Sequence, residues 1–386
     1  MSKFAPVWRS LEDQVASGWA PGIAAGVRHQ GETEYFATGS LAFGSSEPMR
    51  TDTRFRIASL SKPVGAVVAL SMVEDGLFGL DDPVAEWLPE IAEPRVLVAP
   101  DAPVDQTVAA ERPITVRHLL TMTLGLGAFF TEVPVAKEFA AVGNGPMPQP
   151  FSADEYMARL AAVPLAYQPG TRWMYHTGID VLSVLIGRVA GAPLHAVLKE
   201  RVTDPLGLAA TSFQADGAKL PTSYRPTADG VEVFEEYDRG FTEPPRFESF
   251  GGGLVSTVED YLTFLGALAD DRLISRESHE ELTRDQLTAE QRAGTTEMAG
   301  PAWSWGLGVG VDTAVTEPWT AVGRYGWTGG AGTSAYTDPS RDLIGVVMSQ
   351  RFMAGPTEGF GYFWGPLAQV IRDGNNQGRS LESDRP

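Results

Sequence analysis

Apolar and polar positions follow two different periods along this chain. Near the start, Gly22-Ile-Ala-Ala-Gly-Val-Arg28 and Glu34-Tyr-Phe-Ala-Thr38 flank a turn around Gly31, a pattern that predicts a β-hairpin. Arg54-Phe-Arg-Ile57 alternates like a further strand. From Val64 to Asp75 apolar residues fall on nearly every face, which predicts a buried helix ended by Gly76. Asp82-Pro83 has the form of an N-cap followed by a proline at the first helical position. Residues 94–113 and 143–150 carry prolines or glycines with little periodicity and are read as loops. Helical patterns return in residues 152–162, 178–190 and 194–202. The last third changes period again. Gly251–Val255, Trp305–Val311, Gly323–Trp327, Thr333–Thr337 and Leu343–Gln350 predict short strands, with Asp338-Pro-Ser-Arg-Asp342 as a hairpin connection. Residues 373–386 are polar and predict a disordered, frayed tail.

Strands at both ends with helices between them imply an α/β (α+β) protein. The expected architecture is an antiparallel sheet flanked by helices, built from residues 1–60 together with 240–386. A mainly helical domain over 61–239 would lie beside it. This division puts the turn after Ile57 at the hand-over between the two, and such clefts are favoured ligand sites.

Composition narrows the chemistry. The chain has 386 residues, 43% hydrophobic and 20% charged, enough to bury a large core. A net charge of −19 argues against nucleic acid, whose phosphates need a basic surface, and against an anionic membrane. The absence of cysteine excludes thiolate catalysis, disulfides and cysteine-ligated metals. Residues 1–20 hold Lys3, Arg9, Glu12 and Asp13 and no apolar run of signal-peptide length, so a cytoplasmic location is expected. No zinc-helix spacing joins the histidines and no phosphate-binding loop occurs, so no metal or other cofactor is expected. Nothing in the pattern fixes the oligomeric state.

Three segments carry candidate chemistry. Ser59-Leu-Ser-Lys62 has the S-x-x-K spacing, which on a helix puts the lysine amine within reach of the serine hydroxyl. A hydroxyl needs such a base, and a lysine serves once desolvation lowers its pKa. A surface serine and a solvated lysine would share the pattern. Tyr167-Gln-Pro-Gly-Thr-Arg-Trp-Met-Tyr175-His-Thr177 presents Tyr175 ahead of an apolar helix, as a proton relay or as a residue packing the helix entrance. Tyr325-Gly-Trp-Thr-Gly-Gly-Ala-Gly-Thr333 offers glycines for close backbone approach to a ligand, or for a tight turn.

In their order and surroundings these segments resemble the serine β-lactamase superfamily. The resemblance is to its class C-like branch of β-lactamases, D-Ala-D-Ala peptidases and family VIII carboxylesterases. Thr115-Val-Arg-His-Leu-Leu-Thr-Met-Thr123, Asp204-Pro-Leu-Gly-Leu208 and Gly251-Gly-Gly-Leu-Val-Ser-Thr257 look like the same family, from about Gly22 to Gln350. The resemblance implies a cofactor-free acyl-enzyme chemistry with Ser59 as nucleophile, Lys62 as base and Tyr175 as the second-motif tyrosine. Trp327-Thr328-Gly329 stands in the place of the K-T-G strand. Gly330 matches the residue whose N–H completes the oxyanion hole with that of Ser59.

Two departures bear on the substrate. Trp327 replaces the cation that would pair with a substrate carboxylate, offering an apolar wall with one N–H donor. Thr177 stands where asparagine is usual and lacks its reach and donors. The resemblance with these departures implies a carboxylesterase on a small-molecule, short-chain or neutral ester. The alternatives are a β-lactamase, a D-amino-acid peptidase or amidase, an acyltransferase on the same fold, and an inactive binding or sensor module.

Overall fold

The computed structural model describes residues 2–143, 147–215, 217–241, 243–300, 302–356 and 358–383. The expected antiparallel sheet is present. It has seven strands: β1 (Gly22–His29), β2 (Glu32–Gly39), β3 (Trp303–Trp305), β4 (Gly310–Asp312), β5 (Tyr325–Gly329), β6 (Thr333–Asp338) and β7 (Leu343–Ser349). Their spatial order is β2-β1-β7-β6-β5-β4-β3, every pair antiparallel. Strands from the two ends of the chain are therefore neighbours, β1 pairing with β7 from Ile23↔Ser349 to His29↔Leu343.

Strand alternation divides the core between the two faces of the sheet. Ile23, Ala25 and Val27 point to a cluster beneath α1 (Ala5–Ala16) and the C-terminal helix, with Phe4, Trp8, Phe363, Trp364 and Leu367. On the opposite face, a side chain at Gly26 would meet Val258 and Leu262, so glycine lets the helix Val258–Ala269 lie close against β1.

That opposite face continues into helical layers formed by α2 (Ser61–Glu74), α3 (Ala153–Ala161), α4 (Thr177–Ala190) and α5 (Val258–Ala269). One apolar cluster runs from Ala24 and Val346 of the sheet to Tyr156 and Leu182 among the helices, so the two regions share a core. The start of α3 is fixed by a capping box in which Ser152 accepts from the Glu155 N–H and Glu155 returns the bond. Among the described residues no single helix is long and apolar enough to cross a membrane.

The local expectations fail in instructive places. Asp82-Pro83 does not cap a helix; Asp82 accepts from the Gly79 N–H at 2.6 Å and a short 3₁₀ turn follows. Within the expected 94–113 loop, Arg95–Leu97 and Thr107–Ala109 pair as a small hairpin. The 143–150 loop lies partly outside the described residues. Of Gly251–Val255 only Val255 enters a strand, Val255–Ser256, which pairs with Phe55–Arg56. The expected tail at 373–386 instead continues α6 (Gly361–Ser383) as far as Ser383, and 384–386 lie outside the described residues. Pro366 inside α6 cannot donate to the Tyr362 carbonyl. The Ser10 hydroxyl of α1 donates there at 2.7 Å, which removes the cost of the missing bond.

Candidate active site

Phe55–Arg56 leads into Ala58, whose φ of 45° is unusual for a residue with a side chain. This kink delivers Ser59 on a single 3₁₀ turn that runs directly into α2. Ser59 and Lys62 therefore stand one turn apart, with Lys62 Nζ 3.0 Å from Ser59 Oγ. Lys62 is completely buried, and burial lowers its pKa to about 7 against an opposing pull from Asp180. The S-x-x-K spacing here brings together a desolvated amine and a hydroxyl, not a solvated surface pair.

The amine has two further partners that lie close in space but far away in sequence. It donates to the Gly251 carbonyl and lies 3.2 Å from His176 Nδ1. Gly251 is free to accept because residues 251–254 are not paired in a strand. Tyr175 and His176 precede α4, and His176 adopts φ 86°, ψ −61°, a strained γ-turn conformation. The His176 Nε2 lies 3.1 Å from Asp180 Oδ2, one helical turn on. Burial, reinforced by Lys62, lowers the His176 pKa although Asp180 opposes it, so the ring is neutral. Burial pushes the Asp180 carboxyl up, but His176, Ser249 and Lys62 together hold it below its usual range.

Tyr175 faces the same amine, with Lys62 Nζ 4.7 Å from its ring centre. Burial raises its phenol well above the usual value, while hydrogen bonding to Ser59 and Trp327 counters only part of the shift. The phenol is thus protonated at neutral pH. Trp327 Nε1 donates to Tyr175 Oη at 2.6 Å. The single donor expected to serve a substrate is therefore committed to the tyrosine.

A cleft of about 1060 Å³ is lined by Ser59, Tyr175, His176, Trp303, Trp327 and Gly330, and runs on past Thr328 toward Arg324 and Trp364. Gly330 has space around it, and among the described residues its N–H has no backbone acceptor. Two of the residues expected to bind substrate do not line this cleft. Thr177 is fully buried at the first position of α4, and its predecessor His176 faces the cleft instead. Gly329 lies against the backbone before Ser59, where a side chain would approach the Ile57 carbonyl. Sequence reasoning missed His176 and Asp180. Their i, i+4 spacing directly after Tyr175 was the available signal.

A β-lactamase family model matches residues 8–360. The chain belongs to the serine β-lactamase superfamily. Esterase EstB from Burkholderia gladioli is 30% identical over 378 residues, covering 91% of this chain and 90% of EstB. The similarity to EstB fits the family VIII esterase branch of the superfamily. Among solved structures, EstCE1, described as a hydrolase with promiscuous acyltransferase activity, superposes with a TM-score of 0.82 at 25% identity, covering 96% of this chain and 98% of EstCE1. Unliganded simvastatin synthase from Aspergillus terreus shares the fold, with a TM-score of 0.78 at 20% identity over 96% of this chain and all of that one. An aromatic cluster of Trp303, Trp305, Tyr175 and Trp327 backs this site, with neighbouring ring centres 4.8–6.2 Å apart.

Proposed function

We propose that this protein is a carboxylesterase that hydrolyses small neutral esters through an acyl-enzyme on Ser59. The observation that carries the reading is the buried Lys62 amine, with its pKa lowered to about 7, 3.0 Å from Ser59 Oγ in an open cleft. In the free-base form the amine takes the Ser59 proton as Oγ attacks the ester carbonyl. The N–H groups of Ser59 and Gly330 receive the oxyanion. Collapse expels the alkoxide, which takes a proton from Lys62 through Tyr175. Water then attacks the acyl-enzyme, giving up a proton to Lys62, and the acid leaves with Ser59 restored. Every group in this sequence is supplied by the chain.

The ester preference rests on Trp327. Its indole fills the position where a cation would meet a substrate carboxylate, and a desolvated carboxylate without a charged partner costs several kcal/mol. The similarity to Esterase EstB supports the same preference.

A second reading is favoured by the size of the cleft. About 1060 Å³ exceeds what a short acyl group fills, leaving room for an acceptor alcohol toward Trp319 and Trp364. The similarity to EstCE1 supports transfer to such an alcohol.

Intact-protein mass after incubation with p-nitrophenyl butyrate, nitrocefin and a D-Ala-D-Ala peptide tests the assignment. A butyryl adduct on wild type, absent from Ser59→Ala, with rapid release only of the ester product, is expected. Turnover by Ser59→Ala, or faster turnover of nitrocefin or peptide than ester, would overturn it. Added alcohol that converts the product from acid to a new ester would establish transfer.

A further inference from the structure

Lys62 must present a lone pair, not a proton, to Ser59 if it is to act as a base. A neutral amine has two N–H bonds and one lone pair, and three groups surround this nitrogen: Ser59 Oγ, the Gly251 carbonyl and His176 Nδ1. The carbonyl can only accept. Whether the imidazole also accepts depends on its tautomer. Its other nitrogen, Nε2, faces Asp180 Oδ2 at 3.1 Å, and the second Asp180 oxygen accepts from the Ser249 hydroxyl. A carboxylate requires the proton on Nε2, which leaves Nδ1 as an acceptor.

We propose that His176 and Asp180 are positioning residues that aim the Lys62 lone pair at Ser59. With Nδ1 and the Gly251 carbonyl both accepting, the two amine hydrogens are used and the lone pair is left facing Ser59 Oγ. The proposal rests on the Ser59–Lys62 reading above. It assigns the two residues no contact with substrate. Their burial and the backbone of His176 support it independently. His176 and Asp180 are each 4% exposed, and φ 86° at His176 is a conformation held only where the surroundings impose it.

The charged and titratable groups packed around the relay are few. Lys62 comes from α2, Tyr175 from the segment before α4, Asp180 from α4 itself and Tyr156 from α3, beside Asp180. Tyr156 and Tyr175 are both raised by burial and stay neutral. Among the described residues Asp180 is then the one anion acting on Lys62, and it favours the ammonium form.

Three variants test this. His176→Phe keeps a ring but has no acceptor, whereas His176→Asn keeps an acceptor and tolerates positive φ. Asp180→Asn keeps size and removes the charge. The readout is the rate of Ser59 labelling by a fluorophosphonate as a function of pH, with melting curves to select folded protein. In His176→Phe the plateau rate is expected to fall about 10- to 100-fold, the effect of losing one hydrogen bond to a charged or polarised group. His176→Asn should recover a large part of it. In Asp180→Asn the acid limb should move to lower pH by about one unit, since an opposite charge no longer holds the proton on Lys62. A merely structural role would lower melting temperature without moving that limb. The proposal is overturned if His176→Asn labels no faster than His176→Phe, or if the limb of Asp180→Asn stays in place. The Asp180→Asn limb carries the test alone should His176→Phe not fold. Failure of the Ser59 reading itself is distinguishable, because wild type would then acquire no adduct on Ser59.

Discussion

The indole N–H of Trp327 donates to Tyr175 Oη across 2.6 Å, with the two rings 5.5 Å apart and tilted by 53°. Trp327, which in the proposed reading takes the place of a substrate-binding cation, is thus turned toward Tyr175 on the Ser59 side of the cleft. With Trp327 donating, the Tyr175 oxygen is occupied on one side and its own O–H is left to point at Ser59. Trp327→Phe keeps an apolar wall and removes the donor. Its kcat for p-nitrophenyl butyrate should fall about fivefold with KM little changed, since one buried hydrogen bond is worth about 1 kcal/mol. Steady-state kinetics check this; an unchanged kcat would mean that Tyr175 is oriented by its other neighbours.

The lowered pKa of Lys62 predicts a particular pH profile. A base must be unprotonated, so the reactive fraction falls as pH drops below about 7 and saturates above it. The value of kcat/KM for p-nitrophenyl butyrate should therefore lose about tenfold per unit below pH 6 and be level near pH 8–9. Lys62→Arg, protonated at every working pH, should lose the activity by three orders of magnitude or about that. A profile without an acid limb between pH 5 and 9 would contradict Lys62 as the base.

Much of this site was legible along the chain because its first elements are local. S-x-x-K is an i, i+3 relation on one helix, and the alternating β1 and β5–β7 segments announce a sheet. The rest depends on contacts that no spacing encodes. His176 meets Lys62 across 114 residues, and Trp327 meets Tyr175 across 152. The missed helices have a different cause. In α5 the apolar positions Val258, Tyr261, Leu262, Leu265 and Leu268 have helical spacing after the N-cap Thr257, so the pattern was present and unread. In α6, Gly361, Gly365, Pro366 and Gly374 resemble breakers, and only packing of Phe363, Trp364, Leu367 and Ile371 against α1 and β1 overrides them.

The same burial that lowers the Lys62 pKa destabilises the fold. In the unfolded chain the amine holds its proton up to its usual pKa of 10.5, whereas in the native protein it releases the proton near pH 7. Folding between those values expels a proton, so stability should rise with pH from about 7 to 10.5; below pH 7 both states are protonated and the penalty is constant. The ceiling on that penalty is on the order of 5 kcal/mol. Lys62→Met removes it but also loses the bond to the Gly251 carbonyl. A net gain of about 1–3 kcal/mol at pH 7, shrinking toward pH 10, is expected. Denaturant melts at pH 7 and 9.5 check both the sign and the trend; a Lys62→Met variant less stable than wild type at pH 7 would refute it.

Neighbouring glycines in the third segment should respond differently to the same methyl group. A Cβ at Gly329 would lie 2.3 Å from both the Ile57 carbonyl oxygen and Thr333 Oγ1. These two atoms are bonded to each other at 3.0 Å and hold β6 against the turn that carries Ser59. A backbone oxygen two residues before Ser59 cannot swing aside as a side chain end can. Gly329→Ala should therefore cost about 1–3 kcal/mol and push the Ser59 turn off β5. A displacement of about 1 Å at a reacting atom is enough for a loss of about 100-fold in kcat. At Gly330 the added Cβ meets nothing within 4 Å. Gly330→Ala should melt at the wild-type temperature, which thermal unfolding of the pair would show directly. Equal melting temperatures for both variants would mean that β5 does not press on the Ser59 turn as closely as the geometry requires.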